Sequence, residues 1–95
     1  MSPREELAHE LADTCTFGGL DESYGVMVSK QEDPKGKEYW SVTFAKARYL
    51  DGVIKVYSPT FVLVKWQGMG GGSEVLRSGH AAKQFLTNNF VAKFI

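Results

Sequence analysis

The stretch that most limits what this chain can become is residues 39–66, YWSVTFAKARYLDGVIKVYSPTFVLVKW. β-Branched and aromatic residues dominate it, and two turn signals, Asp51-Gly52 and Ser58-Pro59, divide it into three runs. Runs of that composition between such turns read as consecutive antiparallel strands. In the first run Trp40, Val42 and Phe44 alternate with Ser41, Thr43 and Ala45, so one set faces a core and the other faces away. Past Phe44 the same parity reaches Lys46 and Arg48, which requires either a bulge or a strand that runs beyond the core edge. Asp51-Gly52 is expected to form a two-residue hairpin turn, because both central positions of that turn favour positive φ. The second run then turns Ile54 and Val56 inward and Val53, Lys55 and Tyr57 outward. The third, residues 61–66, is nearly all apolar, as expected for a strand with a helix on its back or a sheet partner on each face.

A meander with one greasy face must be covered, and the flanks supply the cover. Ser2-Pro3 followed by Glu5 has the form of a capping box opening a helix. Leu7, Ala8, Leu11, Ala12 and Cys15 then form an apolar stripe that ends before Gly18-Gly19, which predicts a helix over residues 3–15. At the other end, Ser78 caps a second helix over residues 79–93 with Ala82, Phe85, Leu86, Phe90 and Phe94 on one side. Residues 24–30 read as a strand with Tyr24, Val26 and Val28 on one face, and QEDPKGK at 31–37 as an exposed hairpin loop. Residues 73–77 suit a short fifth strand. The expected fold is therefore α+β, in the order α-β-β-β-β-(β)-α. It is a four- to five-stranded antiparallel meander with an N-terminal and a C-terminal helix packed on one face. Trp40, Phe44, Phe61, Phe85, Leu86 and Phe90 are the candidate core. Ninety-five residues suffice for one domain, 1–95, and not for two.

Several function classes recede on composition. No run approaches the roughly 20 apolar residues of a membrane helix, and MSPREELAHE lacks the basic-then-apolar pattern of a secretory signal. Cys15 stands alone, so a reducing, cytoplasmic setting is expected. Cys15, His9 and His80 are the residues of nucleophile–base type. Cys15 falls on the apolar stripe, His9 is four residues from Asp13 and able to pair with it as a surface contact, and no partner stands at motif spacing from His80. They do not make a zinc pattern either. The reading is a non-enzyme with no catalytic residues, metal or cofactor. The run Gly68-Met69-Gly70-Gly71-Gly72 lacks the Lys-Ser of a phosphate loop and reads as a flexible hairpin tip that orders on a partner.

Net charge is zero but unevenly spread: two cations face eight carboxylates in residues 1–34, and nine face three in residues 35–95. Two candidate surfaces follow. Glu6, Glu10 and Asp13, with Asp21 and Glu22, make an acidic helix and its exit, able to imitate phosphate spacing on a partner's groove. Lys46, Arg48, Tyr49, Lys55, Tyr57, Lys65, Trp66 and Arg77 make a basic, aromatic sheet region of the kind that holds single-stranded nucleic acid. Four strands followed by a helix is similar in plan to the small single-strand binders of the positive-coactivator and PUR types, a likeness of topology. Size and charge make-up are similar to those of small inhibitors encoded by phages and other mobile elements, anti-CRISPR proteins among them, a likeness of size class. The first expectation is a protein-binding regulator or inhibitor that docks onto a larger assembly, one that processes nucleic acid being a candidate. The second is a single-stranded nucleic-acid binder. A monomer or a homodimer fits either, the latter by pairing Val53, Tyr57 or the Tyr24 strand across an open edge.

Overall fold

A computed structural model describes residues 2–21, 25–47 and 49–91 of the chain. Helix α1 spans Pro3–Phe17. The Ser2 hydroxyl accepts the Glu5 backbone N–H at 3.3 Å, which satisfies one of the donors a helix start leaves unpaired. The helix ends two residues later than its apolar stripe suggests, in a Schellman arrangement. Gly19 takes φ +77°, its N–H reaches the Thr16 carbonyl at 3.1 Å, and the Leu20 N–H reaches the Cys15 carbonyl at 2.9 Å. Leu20, fully buried, seals that end against the core.

Five strands follow: β1 Met27–Glu32, β2 Glu38–Lys46, β3 Leu50–Ser58, β4 Phe61–Gln67 and β5 Gly72–Leu76. They form one sheet in the order β1-β2-β3-β4-β5, each antiparallel to its neighbour. Helix α2, Gly79–Leu86, is capped by Ser78, whose hydroxyl accepts the Ala81 N–H at 3.0 Å, and continues as a π-helical turn, Thr87–Val91. The expected order α-β-β-β-β-(β)-α is thus the observed one, with the optional fifth strand present. Both helices lie on one face. Leu7, Ala8, Leu11, Ala12 and Cys15 from α1 and Ala82, Leu86 and Phe90 from the C-terminal segment close over Val42, Phe44, Ile54, Val56, Val62, Val64 and Leu76. Among the described residues no helix is long and apolar enough to cross a membrane.

Three local expectations need correction. The strand expected over 24–30 is observed as Met27–Glu32, so Gln31 and Glu32 belong to it and not to the loop, and Tyr24 lies outside the described residues. Asp51-Gly52 is not the turn; it lies inside β3, where Gly52 pairs with Phe44 on one side and Trp66 on the other. The chain reverses four residues earlier, where the Tyr49 N–H meets the Lys46 carbonyl at 3.0 Å and Ala47 takes φ +49°. Gly52 is there for space. A Cβ on it would fall 2.4 Å from Cζ of Phe44, whose ring lies across the β3 backbone. The core side of the sheet therefore alternates ring and glycine across four strands: Phe44, Gly52, Trp66, Gly72. Phe61 also leaves the expected core. Val62 and Val64 take the inward positions of β4, so alternation puts Phe61 on the opposite side.

Candidate functional site on the open face of the sheet

The helices cover one side of the meander, and among the described residues no helix packs on the other. Cross-strand register places the residues of that open side in rows. One row runs Ser29, Ser41, Lys55, Leu63, Val75, and the next runs Met27, Thr43, Val53, Lys65, Ser73. Beyond the first row lie the rings: Tyr39 and Tyr57 with centroids 5.1 Å apart, and Phe61 meeting Tyr57 edge-on at 5.6 Å. Cations lie over all three. Lys55 Nζ is 5.2 Å from the Tyr39 centroid, Lys37 Nζ 5.6 Å from that of Tyr57, and the Arg77 guanidinium 5.3 Å from that of Phe61. At the other end, next to the second row, an open concavity of about 540 Å³ is lined by Thr43, Asp51, Val53, Lys65, Gln67 and Ser73.

The β1–β2 loop is fastened to this face by Asp33. Its Oδ1 accepts the backbone N–H groups of Lys37 at 2.9 Å and Lys35 at 3.0 Å, while Oδ2 accepts the Tyr57 hydroxyl at 3.4 Å. The Lys37 amide first, then the Lys35 amide and the Tyr57 hydroxyl, hold the Asp33 carboxyl below its ordinary value of 3.8, with desolvation opposing them. Burial first and the Asp33 charge second push the Tyr57 hydroxyl up. Because the folded value of Asp33 lies below the unfolded one, the contact stabilises the fold above the ordinary carboxylate range. That contribution disappears as pH falls through the depressed folded value. A carboxyl-carbon NMR titration should show Asp33 protonating below an unfolded-state aspartate, with the Lys37 amide resonance moving in step; a midpoint at or above the ordinary value would remove this fastening.

The basic and aromatic residues singled out in the sequence divide between the two sides. Lys55, Tyr57, Lys65 and Arg77 share the open face. Trp66 does not: its ring packs under the C-terminal segment, 5.6 Å from Phe85 and 5.4 Å from Phe90. Lys46 also faces the helices. It pairs with buried Leu50, and a Cβ on Gly19 would lie 3.7 Å from its Nζ. It is therefore at the C-terminal end of α1, where a cation suits the helix dipole. Tyr49 is exposed in the β2–β3 turn, and Arg48 lies outside the described residues. Gly68, Met69, Gly70 and Gly71 form a turn of four consecutive positive-φ residues closed by a 2.8 Å bond from the Gly71 N–H to the Gly68 carbonyl, and Gly72 already belongs to β5. Tyr39, Phe61, Lys37 and Asp33 were missed in sequence. Parity with Ser41 and Thr43 points to Tyr39; nothing local marks Lys37 or Asp33.

On the acidic side, Glu6, Glu10 and Asp13 line the exposed face of α1, and Glu10 is bound to Lys83 of α2 at 3.2 Å. Asp21 stands apart, bridged to Ala45 beside β2, and Glu22 lies outside the described residues. Part of the charge asymmetry is neutralised internally. Glu38 meets Lys30 at 3.2 Å and Arg4 at 3.4 Å, and these cations, Lys30 first, hold its carboxyl below the usual range. His9 turns toward Glu5 at 4.0 Å, not toward Asp13, and lies beside Trp40. Cys15 is fully buried, and desolvation pushes its thiol up to about 12, which leaves no thiolate at neutral pH. Among the described residues no three His, Cys, Asp or Glu side chains converge as metal ligands would.

Fold and face together define a class: a five-stranded antiparallel meander, helices on one side, a cation-and-ring surface on the other. No protein-family model, no curated protein and no solved structure matches the chain.

Proposed function

We propose that this chain is a non-catalytic protein-binding domain, a small regulator or inhibitor that docks onto a larger assembly through the open face of its sheet. One observation carries the reading. The sheet buries one side under its own helices, while the other side keeps half-exposed Val53 and Leu63, exposed Val75 and Phe61, and cations between them. Apolar side chains ringed by polar and charged ones are the make-up of docking surfaces. The single buried thiol suits a reducing, cytoplasmic compartment. Val53 and Tyr57 belong to the central strand β3, so pairing of copies across an edge would use β1 or β5.

A photocrosslinking residue placed at Val75 in the source cell tests this directly. One discrete heavier adduct is expected there, and none from the same residue at Glu6 on the acidic helix. Labelling at Glu6 alone would move the docking site to α1; no adduct from either would sink the protein-binding reading.

A second reading has its own support. Tyr39, Tyr57 and Phe61 with Lys55, Lys37 and Arg77 beside them bring together the two kinds of side chain, rings and cations, that single-strand binders use. It requires an oligothymidylate to bind at low salt, with affinity falling steeply as salt rises.

A further inference from the structure

We infer that the open face takes an extended, acidic segment of the partner protein, with alternate carboxylates of that segment on Lys55 and Lys65. The inference rests on the protein-binding reading and narrows it. Four cations project on this side, Lys37, Lys55, Lys65 and Arg77, against the carboxylates of Asp21, Asp33 and Asp51 among the described residues. Asp21 lies at the β1 edge, bridged to Ala45, away from Lys55 and Lys65. Asp33 is already engaged by two backbone amides and the Tyr57 hydroxyl. The face therefore presents net positive charge even though the chain as a whole is neutral.

Spacing selects an extended ligand. Lys55 pairs with Leu63, and Lys65 is two residues farther along β4, so the lysines are diagonal neighbours on one face. Diagonal neighbours lie about 7–8 Å apart. Alternate residues of an extended strand repeat at about 6.6–6.8 Å and point the same way. Carboxylates at every second position of such a segment reach both lysines at once. Leu63 and Val53 lie beside the lysines and receive the methylene stems of those carboxylate side chains. The concavity lined by Lys65, Val53, Thr43 and Ser73 has room for a terminal residue or one larger side chain.

The same observations disfavour nucleic acid as the occupant. Domains that grip phosphates carry strongly basic charge, with isoelectric points above about 9, whereas this chain has a value near 6.7. Lys55, Lys37 and Arg77 each already lie over one face of Tyr39, Tyr57 and Phe61, so a base stacking on that face would have to displace the cation.

The test uses the full chain and a fluorescein-labelled peptide alternating glutamate with threonine, beside its glutamine–threonine counterpart and a labelled oligothymidylate. At low salt the glutamate peptide should raise anisotropy and the glutamine peptide should not. Binding should weaken as ionic strength shortens the Debye length toward about 8 Å. The double variant Lys55→Glu/Lys65→Glu should lose about tenfold or more in affinity, the scale expected of reversing two contacting charges. Lys83→Glu, a reversal on the helix side, should bind as the parent does. Far-UV circular dichroism confirms that each variant is folded. The inference is overturned if the glutamate peptide leaves anisotropy unchanged, if the double variant binds as the parent does, if Lys83→Glu loses as much, or if oligothymidylate binds more tightly than the peptide. A surviving adduct at Val75 would then mean that a protein partner exists and is not acidic; loss of the adduct as well would remove both readings.

Discussion

Phe90→Ala should lower the unfolding free energy by about 3–5 kcal/mol, the range for deleting a buried aromatic ring. Phe90 is only 2 % exposed, and its ring sits 5.4 Å from both Phe44 and Trp66 and 5.7 Å from Phe85. It is the point where the C-terminal segment grips the sheet. In an α-helix residues five apart would point about 140° away from each other. The wider turn of Thr87–Val91 brings Phe85 and Phe90 to the same side, and the Asn89 side-chain amide donates to the Phe85 carbonyl at 2.9 Å. Urea titration of Phe90→Ala beside Val75→Ala, which removes an exposed side chain, measures the effect. The Val75 change should stay within about 0.5 kcal/mol, and a Phe90 loss under about 1.5 kcal/mol would mean that the ring cluster does not hold the two layers together.

Gly68→Ala should be the most damaging alanine substitution in the glycine turn. Gly68 has φ +84°, and a Cβ there would fall 2.1 Å from the Tyr49 carbonyl oxygen, a backbone atom that cannot rotate away. Left-handed backbone costs a non-glycine residue about 1–2 kcal/mol, and relieving the overlap adds about 1–3 kcal/mol. Gly70, at φ +88° with nothing within 4 Å of its would-be Cβ, isolates the first cost. The loss of unfolded-chain freedom is common to both substitutions and cancels in the comparison. Thermal or urea unfolding should therefore rank Gly68→Ala well below Gly70→Ala; equal stabilities would show that the two turns at this end of the sheet are not in contact. The glycine run thus has a conformational reason that involves no ligand.

The fold was legible where its signals are local. The Ser2-x-x-Glu5 box and the stripe from Leu7 to Cys15 marked α1, and alternation marked β2 and β3. Reading failed where a residue answers to a distant one. Asp51-Gly52 has the composition of a turn, yet Gly52 is glycine because the Phe44 ring of the neighbouring strand occupies the place of its side chain. Trp66 resembles an exposed interface ring until Phe85 and Phe90, some twenty residues on, cover it. Phe61 is different: Val62 and Val64 take the inward positions of β4, so local alternation alone turns it outward beside Tyr57.

The candidate face was half legible for the same reason. Lys55, Tyr57, Lys65 and Arg77 share it as composition suggested, whereas Lys46 went to the end of α1 and Trp66 to the core. Sequence alone determined the class: alternation, caps and turn chemistry act over a few residues and point to helix, four to five strands and helix in that order, and the structure adds the fifth strand. Which side chains become neighbours on one face was decided only in three dimensions. Side chains alternate with a period of two, so a single irregular residue sends everything after it to the other side. Here the register is set by packing against rings and helices from other parts of the chain.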